Sequence, residues 1–460
     1  MLFVREKQFY KSYFGLTLVI AAQNLISQGV ALTDNIVLGT YNENALSGAT
    51  IANQVLFLLT MVVFGGGDAI VAICSQYWGK KQIDPIKHII NAALIVSVAL
   101  GVVTTVVSFA FPTQVLSIFT NKQEVIETGA LYLRTVSISY VFFAVTYTLL
   151  AAFRSVETIR IGIILTSVSF VLNLILNYAL VFGNFGFPEM GVRGAAIATD
   201  AARIVEFIIV VTYLFKVDKK LVSKFDEIAR PDKELFFHYL KVGYPMLLAG
   251  LFWAIGTWAQ TAILGRLEDA AVISANAIAV IIMQITSVVV YASSNATAVI
   301  VGKTIGESRI KAVKAYAKTF QIIYLILGVI TCIVMLLLRD WVLGFYNISN
   351  EAREYARQFI TALAYISIGI AYHMSAMVGI VRGGGDPKFV LYTDTIFVWL
   401  VVIPSSYIAA FVLHMPPIVV FCCLKCDQVL KCFVAFVKVN RYTWIRVMTH
   451  GDDTIKEEIQ

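Results

Sequence analysis

Apolar residues gather along this chain in long runs separated by short polar connectors. Most runs reach about 20 residues, the length a helix needs to cross the hydrocarbon core of a bilayer. The pattern predicts twelve helical spans, near 14–38, 50–74, 88–111, 128–152, 161–182, 190–215, 239–263, 271–299, 315–338, 357–380, 389–411 and 415–435. The last two are the hardest to separate, because only His414, Pro416 and Pro417 interrupt the run. Helices are the expected form, since lipid offers no partner for open backbone groups. The first run is too long for the core of a secretory signal and lacks a small-residue cleavage pattern, so it reads as a retained span.

The connectors orient the spans. With the N-terminus inside, 28 Lys and Arg fall on inner segments, 7 on outer segments and one, Arg203, within a span. Such a bias places both termini in the cytoplasm and supports the even count. The one connector with the charge density of soluble protein, residues 216–238, divides the chain into an N-lobe (1–215), a C-lobe (239–438) and a cytoplasmic tail (439–460). The halves repeat at an offset of about 227 residues: Val115-Leu116 matches Val342-Leu343, Arg154 matches Arg382, and Gly39 matches Gly265. Six spans return each half to its starting side, so the repeats are related by an axis along the membrane normal.

Composition agrees and removes alternatives. Hydrophobic residues make up 59% of the chain and charged ones 14%, against about a quarter charged in a soluble domain. The net charge of +7 resides in connectors and reads as a topological signal, with no nucleic-acid partner implied. Cys74 and Cys332 lie in apolar runs; Cys422, Cys423, Cys426 and Cys432 cluster near the last span, where zinc binding or acylation compete with the expectation of plain reduced thiols. No nucleotide-binding or zinc-hydrolase signature is present, so neither an enzyme nor a carrier driven by ATP bound to this chain is expected.

Ionisable groups inside spans are costly and usually face protein or water. Asp34 lies several residues from the outer end of span one, Asn173 and Asn177 share a face of span five, and Thr199 and Asp200 lie in the outer half of span six. These fall at comparable depth, and together they make a candidate cation or proton site. In a medium of low dielectric a proton and a metal cation compete for one carboxylate, which is the basis of coupled exchange. The competing reading is structural: Asp200, Arg203 and Glu206 as an intramembrane ion-pair ladder, and the asparagines as ties between helices. Asp68 follows Gly65-Gly66-Gly67, which permit close backbone approach or a broken helix. Trp253, Gln284, Tyr372 and His373 are candidates to line a substrate cleft, aromatic faces being suited to organic cations; each has packing or interface anchoring as its alternative. The second half looks poorer in intramembrane charge, with Asp394 close to Lys388 and the inner surface.

Four stretches in order carry a resemblance: Thr33-Asp34-Asn35-Ile36-Val37-Leu38-Gly39, Ser75-Gln76-Tyr77-Trp78-Gly79-Lys80, Leu172 through Asn177 to Gly183 continuing as Gly186-Phe187-Pro188-Glu189-Met190-Gly191-Val192-Arg193-Gly194 to Thr199, and Arg382-Gly383-Gly384-Gly385-Asp386. On these the chain resembles the multidrug and toxic compound extrusion (MATE) family, within the multidrug and polysaccharide flippase group, over nearly its whole length. The resemblance implies an all-α polytopic membrane protein, its twelve helices in two pseudo-symmetric six-helix lobes forming a V-shaped central cleft. It implies an antiporter in the plasma membrane, working as a monomer among membrane lipids, that exports small organic, mainly cationic, solutes against sodium ions or protons. No cofactor is implied beyond a bound sodium ion. The coupling residues carried over are Asp34, Asn173, Asn177 and Thr199. Many members have an aspartate where Asn177 stands, and Asp200 is a candidate to supply that charge. Other members use acids in spans seven and ten, whose counterparts here, Gly250 and Ala371, are not acidic. The rival expectation, a flippase for lipid-linked sugars or other amphiphiles, requires several Arg or Lys facing the centre.

Overall fold

A computed structural model describes residues 4–221, 232–266, 270–344, 346 and 348–449. The middle of the predicted 216–238 connector and the last part of the predicted tail lie outside the described residues. Among the described residues the regular structure is helical. The helices are α1 (Lys7–Tyr41), α2 (Glu43–Gly79), α3 (Ile83–Ala110), a short α4 (Pro112–Ser117), α5 (Gln123–Val136), α6 (Ser139–Ser155), α7 (Arg160–Phe182) and α8 (Gly191–Lys216). After the connector come α9 (Lys233–Gly265), α10 (Ala270–Thr286), α11 (Val288–Gly306), α12 (Ile310–Leu343), α13 (Asn350–Arg382), α14 (Pro387–Val412), α15 (Pro417–Leu424) and α16 (Asp427–Arg441).

Nine of these helices are long and apolar enough by themselves to span a membrane, and α5 with α6, bent by 53°, make a tenth. Two more passes complete the predicted twelve. Helix α8 has the length but carries Asp200, Arg203 and Glu206, and α15 with α16 is interrupted at Lys425–Cys426. The predicted eighth span is likewise two helices, α10 and α11, meeting at Ser287.

Local chemistry sets several ends. Pro112 and Pro387 open helices in the first turn, where a missing N–H costs nothing. Ser349 caps α13 by accepting from the Ala352 N–H at 3.1 Å. Gly183, in the left-handed region at φ 71°, ends α7. Long apolar faces stay uncovered, such as Val102, Val103, Val106 and Val107 on α3, and Leu325, Ile326, Val329, Ile330 and Ile333 on α12. Stripes of that size belong against lipid.

The described residues form two compact units. The first unit comprises Ala22–Cys74 and Lys81–Leu247; the second takes in the chain before Ala22, Ser75–Lys80, and everything from Leu248 onward. This division differs from a cut at the connector: α1, α2 and α9 each begin in one unit and end in the other. Within the first unit the triple glycine serves close approach, not a break, since α2 runs through it uninterrupted. A Cβ on Gly65 would collide with the Met246 carbonyl, and Tyr239 donates its hydroxyl to the Gly66 carbonyl at 3.3 Å. Within the second unit, Gly79 and Gly306 lie against the backbone of Lys303 and Gln76 respectively. There the segment after α16 folds back. The Gln76 amide donates to the Arg446 carbonyl at 3.0 Å and accepts from the Met448 N–H at 2.8 Å, and Trp444 is fully buried against Gly384. Asp386 takes Lys438 at 2.7 Å and Arg446 at 3.0 Å.

Candidate functional site

The first unit holds the polar group that the sequence places at one depth. Its construction begins with glycines. Gly183 stops α7, Gly191 starts α8 at φ 53°, and Gly194 has the Leu180 carbonyl where a Cβ would be. The two helices therefore cross closely just above Asn173 and Asn177 on α7 and Thr199 and Asp200 on α8. Gly29 of α1 rests on the Phe170 ring, which brings Asp34 to the same region.

Asn177 Nδ2 donates to Asp34 Oδ1 at 2.6 Å and to Asn173 Oδ1 at 3.0 Å. Both asparagines are wholly buried and Asp34 is half-buried. The carboxylate thus has a short hydrogen bond but no direct cationic partner; Arg203 acts on it only through space. Asn177 Oδ1 beside it, and Thr199 Oγ1 and Asp200 Oδ1 on α8, are buried with no hydrogen-bond partner of good geometry, as is the donor Asn173 Nδ2. Unsatisfied buried acceptors are few in native proteins. Oxygens of this kind together with a carboxylate offer what a sodium ion or a proton needs.

Asp200 departs from the ion-pair ladder. Arg203 joins Glu206 at 2.9 Å and lies over the Phe143 ring at 4.9 Å. Asp200 instead lies beside Ser139, at the start of α6, whose hydroxyl donates to the Val136 carbonyl at 2.6 Å. With only 8% of its surface exposed, it is a second buried carboxylate without a direct counter-charge. Tyr132, fully enclosed on α5, lies near both acids. Its buried hydroxyl lies beside Asn53 and Thr199 and within electrostatic reach of both Asp34 and Asp200. Neither Tyr132 nor Ser139 was legible in the sequence; the amphipathic pattern of α5 was the one available signal.

The other candidates are dispersed. Asp68 is half-buried midway along α2 and engaged with its surroundings. Trp253 is 45% exposed on α9, and Gln284 is exposed on α10. Tyr372 is buried and donates its hydroxyl to Gln321 Oε1 at 2.7 Å, an oxygen that also accepts from Asn440 at 3.1 Å. His373 is buried with Nδ1 at 3.1 Å from the Gly369 carbonyl.

The expectation of a charge-poor second half needs correction. Lys431, counted with the inner charges, is buried, and its Nζ lies 2.9 Å from both Asp394 Oδ1 and Asp427 Oδ2. An i,i+4 pair on one helix face met by an acid of α14 explains the error: three charges near a predicted inner rim close on one another.

Long apolar helices with polar groups buried among them and apolar exteriors define a multi-pass membrane protein of the transporter type. The sequence model of the MatE family matches residues 20–179 and 245–408. The chain belongs to that family. A probable multidrug resistance protein NorM of Thermotoga maritima is 23% identical over 399 residues, covering 86% of this chain and 85% of the relative. Another probable NorM, of Listeria innocua, is 23% identical over 94% of both chains. Among solved structures, the eukaryotic MATE transporter AtDTX14 superposes with a TM-score of 0.84 at 16% identity, over 98% of this chain and 99% of that one. A MOP superfamily transporter of Pyrococcus furiosus superposes with a TM-score of 0.85 at 16% identity, over 94% and 95%.

Proposed function

We propose that the chain is a multidrug exporter of the plasma membrane, an antiporter that exchanges small organic, mainly cationic, compounds for sodium ions or protons by alternating access. In this reading both termini are cytoplasmic and the monomer is the working unit. The observation that carries it is the Asp34 carboxylate, hydrogen-bonded by Asn177, whose own amide oxygen is buried with no partner. The names of the NorM relatives support the export of drugs.

The physical step is competition. A sodium ion or proton at Asp34 would neutralise the carboxylate and draw on the oxygens of Asn173, Asn177 and Thr199. Asp200, next to Thr199 on α8, would supply the second negative charge absent at Asn177. An ion bound more tightly in one conformation than in the other shifts the balance between them. Substrate leaving and ion entering are then linked through that balance.

The test is transport in proteoliposomes with sodium and proton gradients imposed separately, read with a panel of organic cations, neutral amphiphiles and anions. The expected result is export of cations driven by one of the two gradients. Export that ignores both gradients, or is confined to lipid-linked anions, contradicts the reading.

A further inference from the structure

The Lys431 triad has the form of a cation site with its cation already attached. Two carboxylates, from α14 and α16, present one oxygen each to a single ammonium at 2.9 Å. The partners are unequally enclosed: the side chains of Lys431 and Asp427 are 4% and 5% exposed, that of Asp394 is 35% exposed. Gln428 adds a donor to Asp427 Oδ2 at 2.9 Å, so this acid is held twice. Asp394 has its lysine contact and an open side.

Lys425 and His373 are the nearby titratable groups whose described contacts lie elsewhere. Lys425, on the link between α15 and α16, reaches Gln260 Oε1 at 3.4 Å. His373, on α13, spends Nδ1 on the Gly369 carbonyl and feels Lys431, Asp394 and Asp427 through space. The backbone is also irregular here. Ser375–Arg382, beginning two residues after His373, and Phe397–Val402, beginning three residues after Asp394, are wound as π-helix, a form that concentrates at functional positions.

A buried ammonium shared by two acids does not need both. If it stays with Asp427, one charge-assisted bond remains in the better-enclosed half. The Asp394 carboxylate is then free for another positive charge, and no bare buried charge is left behind.

We propose that Asp394 is a cation-recognition residue of the second unit: a singly charged organic cation replaces the Lys431 ammonium on its open carboxylate while Asp427 keeps the lysine. Lys431 is accordingly a tethered competitor that sets the affinity of the site and holds it balanced between ligands. The inference rests on the reading of the chain as an exporter of organic cations and adds where such a cation is recognised.

The experiment is equilibrium binding of tetraphenylphosphonium to the purified full-length protein in detergent, for wild type and for Asp394→Asn, Asp394→Glu and Lys431→Met. Wild type and Asp394→Glu should bind alike. Asp394→Asn should bind about tenfold more weakly, the scale of one lost charge-assisted contact, and Lys431→Met should bind more tightly. Should Lys431→Met fail to fold, the contrast between Asp394→Asn and Asp394→Glu decides by itself. If wild type binds and Asp394→Asn matches it within twofold, this inference is overturned and the exporter reading stands. If wild type binds no cation, the cationic-substrate reading falls and takes this inference with it.

Discussion

Asn177 makes the clearest statement about chemistry at the scale of single residues. Its Nδ2 is shared between Asp34 and Asn173, and a hydrogen bond to a charged group contributes about 1.5–3 kcal/mol. Asn177→Leu should therefore weaken the response to the coupling ion by roughly ten- to a hundredfold. Asn177→Asp should retain that response, because it sets a second carboxylate beside Asp34. The ion-dependent shift of the melting temperature, titrated with sodium and across pH, reads both; equal behaviour of the two variants would remove Asn177 from the site. The sequence showed Asp34, Asn173 and Asn177 because a polar group in a span stands out, and a four-residue spacing puts two on one face. Tyr132 and Ser139 did not stand out, being ordinary residues that matter only for their nearness to α2 and α8. Lys431 was hidden for the opposite reason: a lysine near a predicted membrane exit looks solvated until Asp394 arrives from α14.

Helices were legible as apolar runs, and their ends as prolines, serines and glycines. Their irregularities were less so. The bend between α5 and α6 and the π-helical stretches of α13 and α14 lie inside continuous apolar sequence, where hydropathy carries no information about winding. Glycines mark the close approaches. Gly79, at the end of α2, lies against the Lys303 carbonyl of α11, and Gly306 against that of Gln76. A methyl at Gly79 has to displace backbone, so Gly79→Ala should destabilise the second unit by roughly 1–3 kcal/mol, the usual range for overpacking. Thermal unfolding followed by size-exclusion chromatography would show it, with Gly15→Ala, where no atom lies near the added carbon, as the control. Equal melting temperatures would mean that this contact is looser than the geometry says.

For the molecule as a whole, the repeat of six spans and six was readable from an offset of about 227 residues. The exchange of segments between the units was not. Residues before Ala22 and Ser75–Lys80 pack with the second unit, and the start of α9 with the first. Hydropathy orders spans along the chain but does not say which neighbours they choose. The consequence for function is an asymmetry with two parts. The first unit holds carboxylates lacking a direct counter-charge, at Asp34 and Asp200; the second holds an acid pair that shares the one Lys431 ammonium. An ion that drives transport should therefore act on the first. Gradient-driven efflux of an organic cation from proteoliposomes, compared between wild type and Asp34→Asn at equal protein content, tests this most directly. The account predicts that Asp34→Asn still binds the organic cation but loses at least about nine-tenths of the gradient-driven flux, a free-energy difference of about 1.4 kcal/mol or more at the coupling step. Undiminished gradient-driven flux in Asp34→Asn would contradict it.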